Sequence, residues 1–208
     1  MNLKLTNDSP IGKAVLHFFT LCGLNIVWLL CCLPVITAGP AITALHAAIG
    51  ALEDEDDLPV FRTFFLTFRQ KWKQTGLLWL VVLVLAVCGA LGLRILSFWE
   101  GTARTIGIAV FCIPLMVAAM TAAYMFPILA RFEEKTIPLL SDSLLIALAY
   151  FPKTLLILFL NALPFFILVF FPSFIAAALF VWVPIGFAFS ALLIWRIQKP
   201  IFESLEER

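Results

Sequence analysis

Few residues in this chain could do chemistry, and most of them lie in apolar surroundings. The two histidines are His17 and His46, the amides Asn25 and Asn161 sit inside apolar runs, and Cys22, Cys31, Cys32, Cys88 and Cys112 do the same. An ionisable or amide group inside a membrane helix either faces a wet cavity or bonds a neighbouring helix. His46, Asn25 and Asn161 are therefore the candidate cavity-lining residues. His46 is the foremost, because it follows the break at Pro34–Pro40; its alternative role is a neutral imidazole bonded to a nearby carbonyl. For the two amides the alternative is helix–helix glue, worth about 0.6 kcal/mol per bond and up to about 2. His17 reads as interfacial, and Arg94 as snorkelling from a helix end.

Other chemistry is not signalled. The cysteines lack Cys-x-x-Cys spacing and read as small packed apolar residues. No Asp or Glu interrupts the long apolar runs, which argues against a pump with its own carboxylate relay. A phosphate-cradling Gly-x-x-x-x-Gly-Lys loop, a His-Glu-x-x-His zinc pair and a Gly-x-Ser-x-Gly elbow are all missing from the sequence. No catalytic residue, metal site or cofactor is expected, and the chain does not read as an enzyme.

The elements that must carry these residues follow from composition. Of 208 residues, 63% are hydrophobic and 13% charged, against roughly half and a quarter in soluble chains. Only lipid can cover that much apolar surface. A net charge of +1 offers no basic field for nucleic acid, so the lipid bilayer is the expected partner. Four runs lack Asp, Glu, Lys and Arg: Ala14 to Leu52, Gln74 to Leu93, Thr105 to Ala130 and Thr154 to Trp195. One crossing needs about 20 residues, so the second and third runs make one helix each. The fourth makes two, broken at Phe171-Pro172-Ser173.

The first run, as one straight helix, would be about 58 Å long. Pro34, Gly39 and Pro40 interrupt it and leave a short arm of about 18 Å, which is either a re-entrant half-helix or a thin return crossing. The expectation is an all-α, polytopic helical membrane protein in a single domain, 1–208. Its five to six embedded segments fall near 12–33, 41–52, 75–97, 105–130, 153–171 and 173–195. Two amphipathic connectors are expected near 59–73 and 139–152. A signal peptide over residues 1–38 is the rival reading of the start, disfavoured because its apolar core is too long.

If Lys4 and Lys13 at the N-terminus are counted on that side, twelve of the fourteen Lys and Arg residues fall together, with Arg94 and Arg104 on the other side. The positive-inside rule then makes the connectors and the C-terminus cytoplasmic, in a multi-pass protein of the bacterial plasma membrane. The side of the N-terminus depends on whether the short arm crosses.

The first connector places Phe61, Phe64, Phe65, Phe68 and Trp72 on one helical face, beside Arg62, Arg69, Lys71 and Lys73. Such a face lies in the headgroup layer or docks on a partner. The acidic run Glu53–Asp57 precedes it, where negative charge suits a helix start. Two short likenesses at offsets of 80 and 79 residues (Cys32-Leu-Pro-Val with Cys112-Ile-Pro-Leu, and Gln74-Thr with Lys153-Thr) raise an internal repeat, as found in transporters. Gly89 and Gly92 would permit self-association.

Three motifs resemble those of the YesL-like family of Gram-positive membrane proteins. They are Leu24-Asn-Ile-Val-Trp-Leu-Leu-Cys-Cys-Leu-Pro34-Val-Ile-Thr-Ala-Gly-Pro40-Ala41, Phe61-Arg-Thr-Phe-Phe-Leu-Thr-Phe-Arg-Gln-Lys-Trp-Lys-Gln74, and Phe126-Pro-Ile-Leu-Ala-Arg-Phe-Glu133. The resemblance implies an accessory role beside a carbohydrate ABC importer, with its permease subunits as partners. It brings no catalytic or ligand-binding residues. Glu53–Asp57 stand where many relatives carry a basic residue. A small transporter or channel for a small solute is the alternative reading. The permease role itself is disfavoured, because residues 53–75 lack a Glu-Ala-Ala…Gly coupling pattern.

Overall fold

The computed structural model describes residues 10–54, 59–170, 173 and 179–206. Helix α1 (Pro10–Cys32) ends where Pro34 removes an amide donor, and a 3-10 turn, Val35–Thr37, redirects the chain into α2 (Ala38–Glu53). Helix α3 (Val60–Leu96) and helix α4 (Gly101–Arg131) form an antiparallel hairpin, and α5 (Thr136–Ala149) joins α6 (Phe151–Phe170) across a 104° bend. A π-helical turn, Trp182–Gly186, opens the last helix, α7 (Phe187–Glu206).

The elements differ from the sequence expectation in two places. The first connector and the following span are one unbroken helix of 37 residues, about 55 Å long. The composition shift near Gln74 is not a break: Thr75 bonds back to Lys71 O at 2.7 Å, and even a Cβ at Gly76 would make only ordinary contact with the Pro40 ring. The second connector begins earlier than expected, at Thr136. The anticipated hairpin at Phe171-Pro172 lies outside the described residues, as do Glu55, Asp56 and Asp57.

Helix α2 is the hub. Two thirds (67%) of its apolar window is buried inside the protein, against 11–28% for the other candidate spans. It packs on α1, α3, α4 and α7. Gly39 makes the α2–α3 approach feasible: a Cβ there would lie 2.5 Å from Trp79 Cβ and 2.6 Å from Thr75 O. The α1–α2 hairpin therefore turns back beside Trp79, about 26 Å before α3 ends. One core cluster joins Leu24 of α1, Ala44, Ala48 and Ile49 of α2, Phe64 of α3 and Ala188 of α7. The other joins Tyr124, Met125 and Leu129 of α4 with Leu139, Ile157 and Ile201.

Gly89 and Gly92 serve this fold internally. A Cβ at either would overlap Leu115 or Phe111 of α4, and one at Gly107 would overlap Leu96. At the first of the two sequence likenesses the structures differ, since Pro34 ends a helix whereas Pro114 sits inside the continuous α4.

The outer surface carries large exposed side chains such as Leu77, Val81, Val84, Leu91 and Ile95 on α3, Ile106, Val110 and Ile113 on α4, and Phe159, Phe165 and Val169 on α6. Five helices are long and apolar enough to cross a membrane, or up to six if the bent α5–α6 pair is one span. The chain is an all-α, multi-pass membrane protein.

Candidate functional site

Proline supplies most of the breaks in this bundle, and buried polar side chains answer them. A proline inside a helix frees the carbonyl four residues earlier, and lipid offers that group no donor. Pro127 frees Ala123 O, which accepts from Gln198 Nε2 at 2.9 Å. At the Pro34 break, the Thr37 hydroxyl serves Cys31 O and Pro34 O, and Trp79 Nε1 donates to Val35 O at 2.7 Å. At the α5–α6 bend the Thr154 hydroxyl donates to Ala147 O at 2.8 Å and meets Tyr124 Oη at 3.1 Å.

Asn25 does the same for the π-turn around Pro184. Fully buried, its Nδ2 donates to Trp182 O at 3.0 Å and Val183 O at 2.7 Å, while Ala188 N–H donates to its Oδ1 at 2.8 Å. Every polar atom of this amide is engaged, so Asn25 is helix–helix glue and lines no described cavity. Asn161 departs further from expectation. It is exposed on α6 and its Nδ2 donates to Ile157 O of its own helix at 2.9 Å, so it neither lines a described cavity nor ties two helices.

His46 lies beside a cavity. It is buried on α2 and lines a cavity of about 270 Å³ with Ala47, Gly50, Ala51, Asp54, Thr63, Pro127, Ala130, Arg131, Trp195 and Phe202. Among the described residues, several buried side-chain polar atoms lack a hydrogen-bond partner, and His46 Nδ1 is the one that belongs to this lining. The other walls were not legible from local pattern, because Thr63, Arg131 and Trp195 come from three separate helices. No group of three His, Cys, Asp or Glu able to hold a metal occurs among the described residues.

Ion pairs close the rim. Arg196 reaches Glu53 through two bonds of 3.0 and 3.1 Å, and Lys199 Nζ lies 2.6 Å from Asp54 Oδ1 and 4.6 Å from the Trp195 ring centre. Glu53 and Asp54 thus face the cations of α7. The sequence reading placed them as a lead-in to α3; they are instead the C-terminal end of α2 and its cap.

The aromatic stripe at the start of α3 is divided. Phe64 is fully buried against α1 and α2, and Phe68 is half-buried, stacked on Phe64 and edge-on to Trp72. Phe61, Phe65 and Trp72 remain 40%, 53% and 41% exposed, alongside the exposed Arg62, Arg69 and Lys73. Lys71 turns inward to the α4–α5 link, with Phe132 O at 3.5 Å and Glu133 at 4.0 Å, and Gln74 Nε2 donates to Glu134 O at 2.8 Å.

A polytopic helical bundle with a buried hub helix, a small rim cavity and a basic–aromatic face defines a class of membrane protein rather than a reaction. Comparison with known proteins narrows it. Residues 21–92, which hold the second half of α1, all of α2 and most of α3, match the family described as "Protein of unknown function, DUF624". Among curated proteins, Uncharacterized protein YesL of Bacillus subtilis (strain 168) is 28% identical, the match covering 70% of this chain and 72% of YesL. Uncharacterized protein YteU of the same organism is 27% identical, covering 75% of this chain and 66% of YteU. No solved structure matches. The YesL-like assignment drawn from the sequence motifs is borne out by these matches.

Proposed function

We propose that this protein is a non-catalytic accessory subunit of a carbohydrate ABC importer and binds permease subunits through the outer face of α3. The observation that carries the reading is the pairing of exposed Phe61, Phe65 and Trp72 with Arg62, Arg69 and Lys73 on one rigid helix. Interfaces draw most of their energy from such aromatic and arginine side chains. The opposite side of that helix is locked by Phe64, so the face is held in place rather than folded away. The family resemblance supports the sugar-importer class. In this reading the protein sits in the bacterial plasma membrane with the basic end of the bundle and the C-terminus in the cytoplasm, as the lysine and arginine bias favours.

The test is purification of the tagged full-length chain from native membranes in mild detergent. Permease subunits are retained by the wild type and lost, by more than tenfold, from Phe65→Ala/Arg69→Ala/Trp72→Ala. A tagged protein that never retains a permease defeats the proposal. The His46 cavity favours a second reading, a carrier or channel for a small solute. Liposome flux that responds to His46→Ala supports it, and absence of flux for sugars and ions removes it.

A further inference from the structure

Helix α5 is apolar on two opposite faces. On one, Leu139, Ser143, Ile146 and Ala147 are buried, the three apolar ones in the core cluster with Leu129, Ile157 and Ile201. On the other, Ile137, Leu140, Leu145 and Leu148 stand at i, i+3, i+8 and i+11, which is one side of a helix. They are 84%, 39%, 63% and 55% exposed. Ser141 shares that side but donates its hydroxyl to Pro138 O at 2.9 Å, and exposed Asp142 lies at its edge. A helix that is apolar all round is normally covered on every side. Protein covers one side of α5, so the other needs a second cover.

The place of α5 in the chain says what that cover is. The charge-free run of α4 ends at Ala130 and that of α6 starts at Thr154, so α5 lies where two apolar spans give way to charge. At 14 residues, about 21 Å, it is too short to cross a bilayer by itself. The 104° bend turns it across the line of α6, and the Thr154 hydroxyl, donating to Ala147 O at 2.8 Å, holds that angle. Helix α6 exposes Leu155, Leu156, Phe159, Phe165 and Val169 along its length, as a lipid-crossing helix does. Exposed Phe151 stands between Leu148 and Leu155, so the outward row of α5 continues into that lipid-facing surface. Cations flank the row: Lys135 is exposed, and Lys153 Nζ lies 5.2 Å from the Tyr150 ring centre. Lysine and tyrosine beside an apolar stretch are residues that meet lipid headgroups.

We propose that α5 is an in-plane anchor lying in one leaflet of the bilayer, with Ile137, Leu140, Leu145 and Leu148 against acyl chains and Lys135, Asp142 and Lys153 among the headgroups. An amphipathic helix in this position sinks its apolar face about 5–10 Å into the headgroup and acyl boundary. The bent pair then makes one crossing, α6, with an interfacial helix before it. The anchor is separate from the outer face of α3 and does not depend on the partner proposed above.

The experiment uses the full-length chain without its five native thiols, reconstituted in bilayers of phosphatidylcholine and phosphatidylglycerol. One nitroxide label at a time is attached to Asp142→Cys, Leu145→Cys or Leu148→Cys. Power saturation then compares collision with oxygen, which partitions into lipid, and with a water-borne nickel chelate. Labels at 145 and 148 should favour oxygen and report depths of about 5–10 Å below the headgroup level, whereas the label at 142 should favour nickel. Benzoylphenylalanine in place of Leu145, in the chain with its native thiols, keeps the test decisive should the thiol-free chain fail to fold. On illumination in the same bilayers it should become joined to phospholipid, as read by mass spectrometry. The proposal is overturned if the labels at 145 and 148 meet nickel as freely as that at 142, which marks a water-facing surface. It is equally overturned if both are shielded from oxygen and nickel alike, or if the photoprobe is joined to polypeptide and never to lipid, either of which marks a protein-covered one.

Discussion

Asn25 and Ala188 are 163 positions apart in sequence and joined by a 2.8 Å hydrogen bond from the backbone N–H of Ala188 to Asn25 Oδ1. With the two carbonyls that Asn25 Nδ2 takes at Trp182 and Val183, one amide side chain from α1 closes the irregular turn that Pro184 imposes on the last span. Residues on the first and last helices are thereby tied at a point where neither water nor lipid can substitute.

Replacing Asn25 by leucine removes three bonds and leaves their backbone partners unanswered in apolar surroundings. At about 0.6 kcal/mol per bond in membrane bundles, the expected loss is about 2 kcal/mol, read as a lower unfolding midpoint in detergent. Pro184→Ala should shrink that loss, because a regular helix no longer needs the amide. Equal losses in both backgrounds would mean the amide does not serve the proline.

Gly39→Ala and Gly101→Ala form a contrasting pair. The first drives a methyl group into Trp79 Cβ and Thr75 O, with backbone on one side and the root of a ring on the other. Overpacking of this kind costs about 1–3 kcal/mol, and here the upper end is expected, with loss of folded protein in membranes. Gly101 has open space around it but a φ of +68°, so its cost is that of a left-handed alanine, about 1–2 kcal/mol. Fluorescence-detected size exclusion with a heating series separates the two.

The Arg196–Glu53 pair has good two-bond geometry, yet the arginine side chain is 59% exposed. Exposed pairs contribute about 0–1 kcal/mol and fade with salt. A double-mutant cycle with Glu53→Gln and Arg196→Gln is expected to give a coupling in that range at low salt and less in high salt. A coupling of several kcal/mol that ignores salt would place the pair in a drier setting than its exposure implies.

Orientation is checked by single cysteines at Phe98 and Lys73 in a background without the five native thiols. A membrane-impermeant maleimide should modify position 98 on intact cells and position 73 only after permeabilisation. The reverse pattern would invert the bundle and remove the cytoplasmic partner face with it.

The parts of this architecture that were legible in the sequence are those dictated by a local rule. Pro34 with Gly39 and Pro40 announces a break, charge-free runs announce spans, and the spacing of Phe61, Phe64, Phe65, Phe68 and Trp72 announces one helical face. That Phe64 alone among them would be fully buried depends on α2 lying alongside, which no local pattern encodes. Asn25 and Asn161 look alike in sequence, each an amide in an apolar run. Asn161 satisfies itself on its own helix, whereas Asn25 finds a turn 157 residues away. The continuity of α3 was hidden because a change from charged to apolar side chains alters the solvent a helix meets without altering its backbone. The cavity was half visible: His46 stood out as a lone ionisable group, but its companions lie on helices whose neighbours only the fold decides.

The proline breaks also constrain inheritance. Gln198 is useful while Pro127 leaves Ala123 O open, and Asn25 while Pro184 distorts its turn. A descendant that restores an ordinary residue at either proline releases the matching amide to drift, and one that first loses the amide is under pressure to straighten the helix. Across related genes these positions should therefore change as couples, Asn25 with Pro184 and Gln198 with Pro127, so that kinship records leave a trace of contacts between helices far apart in the chain.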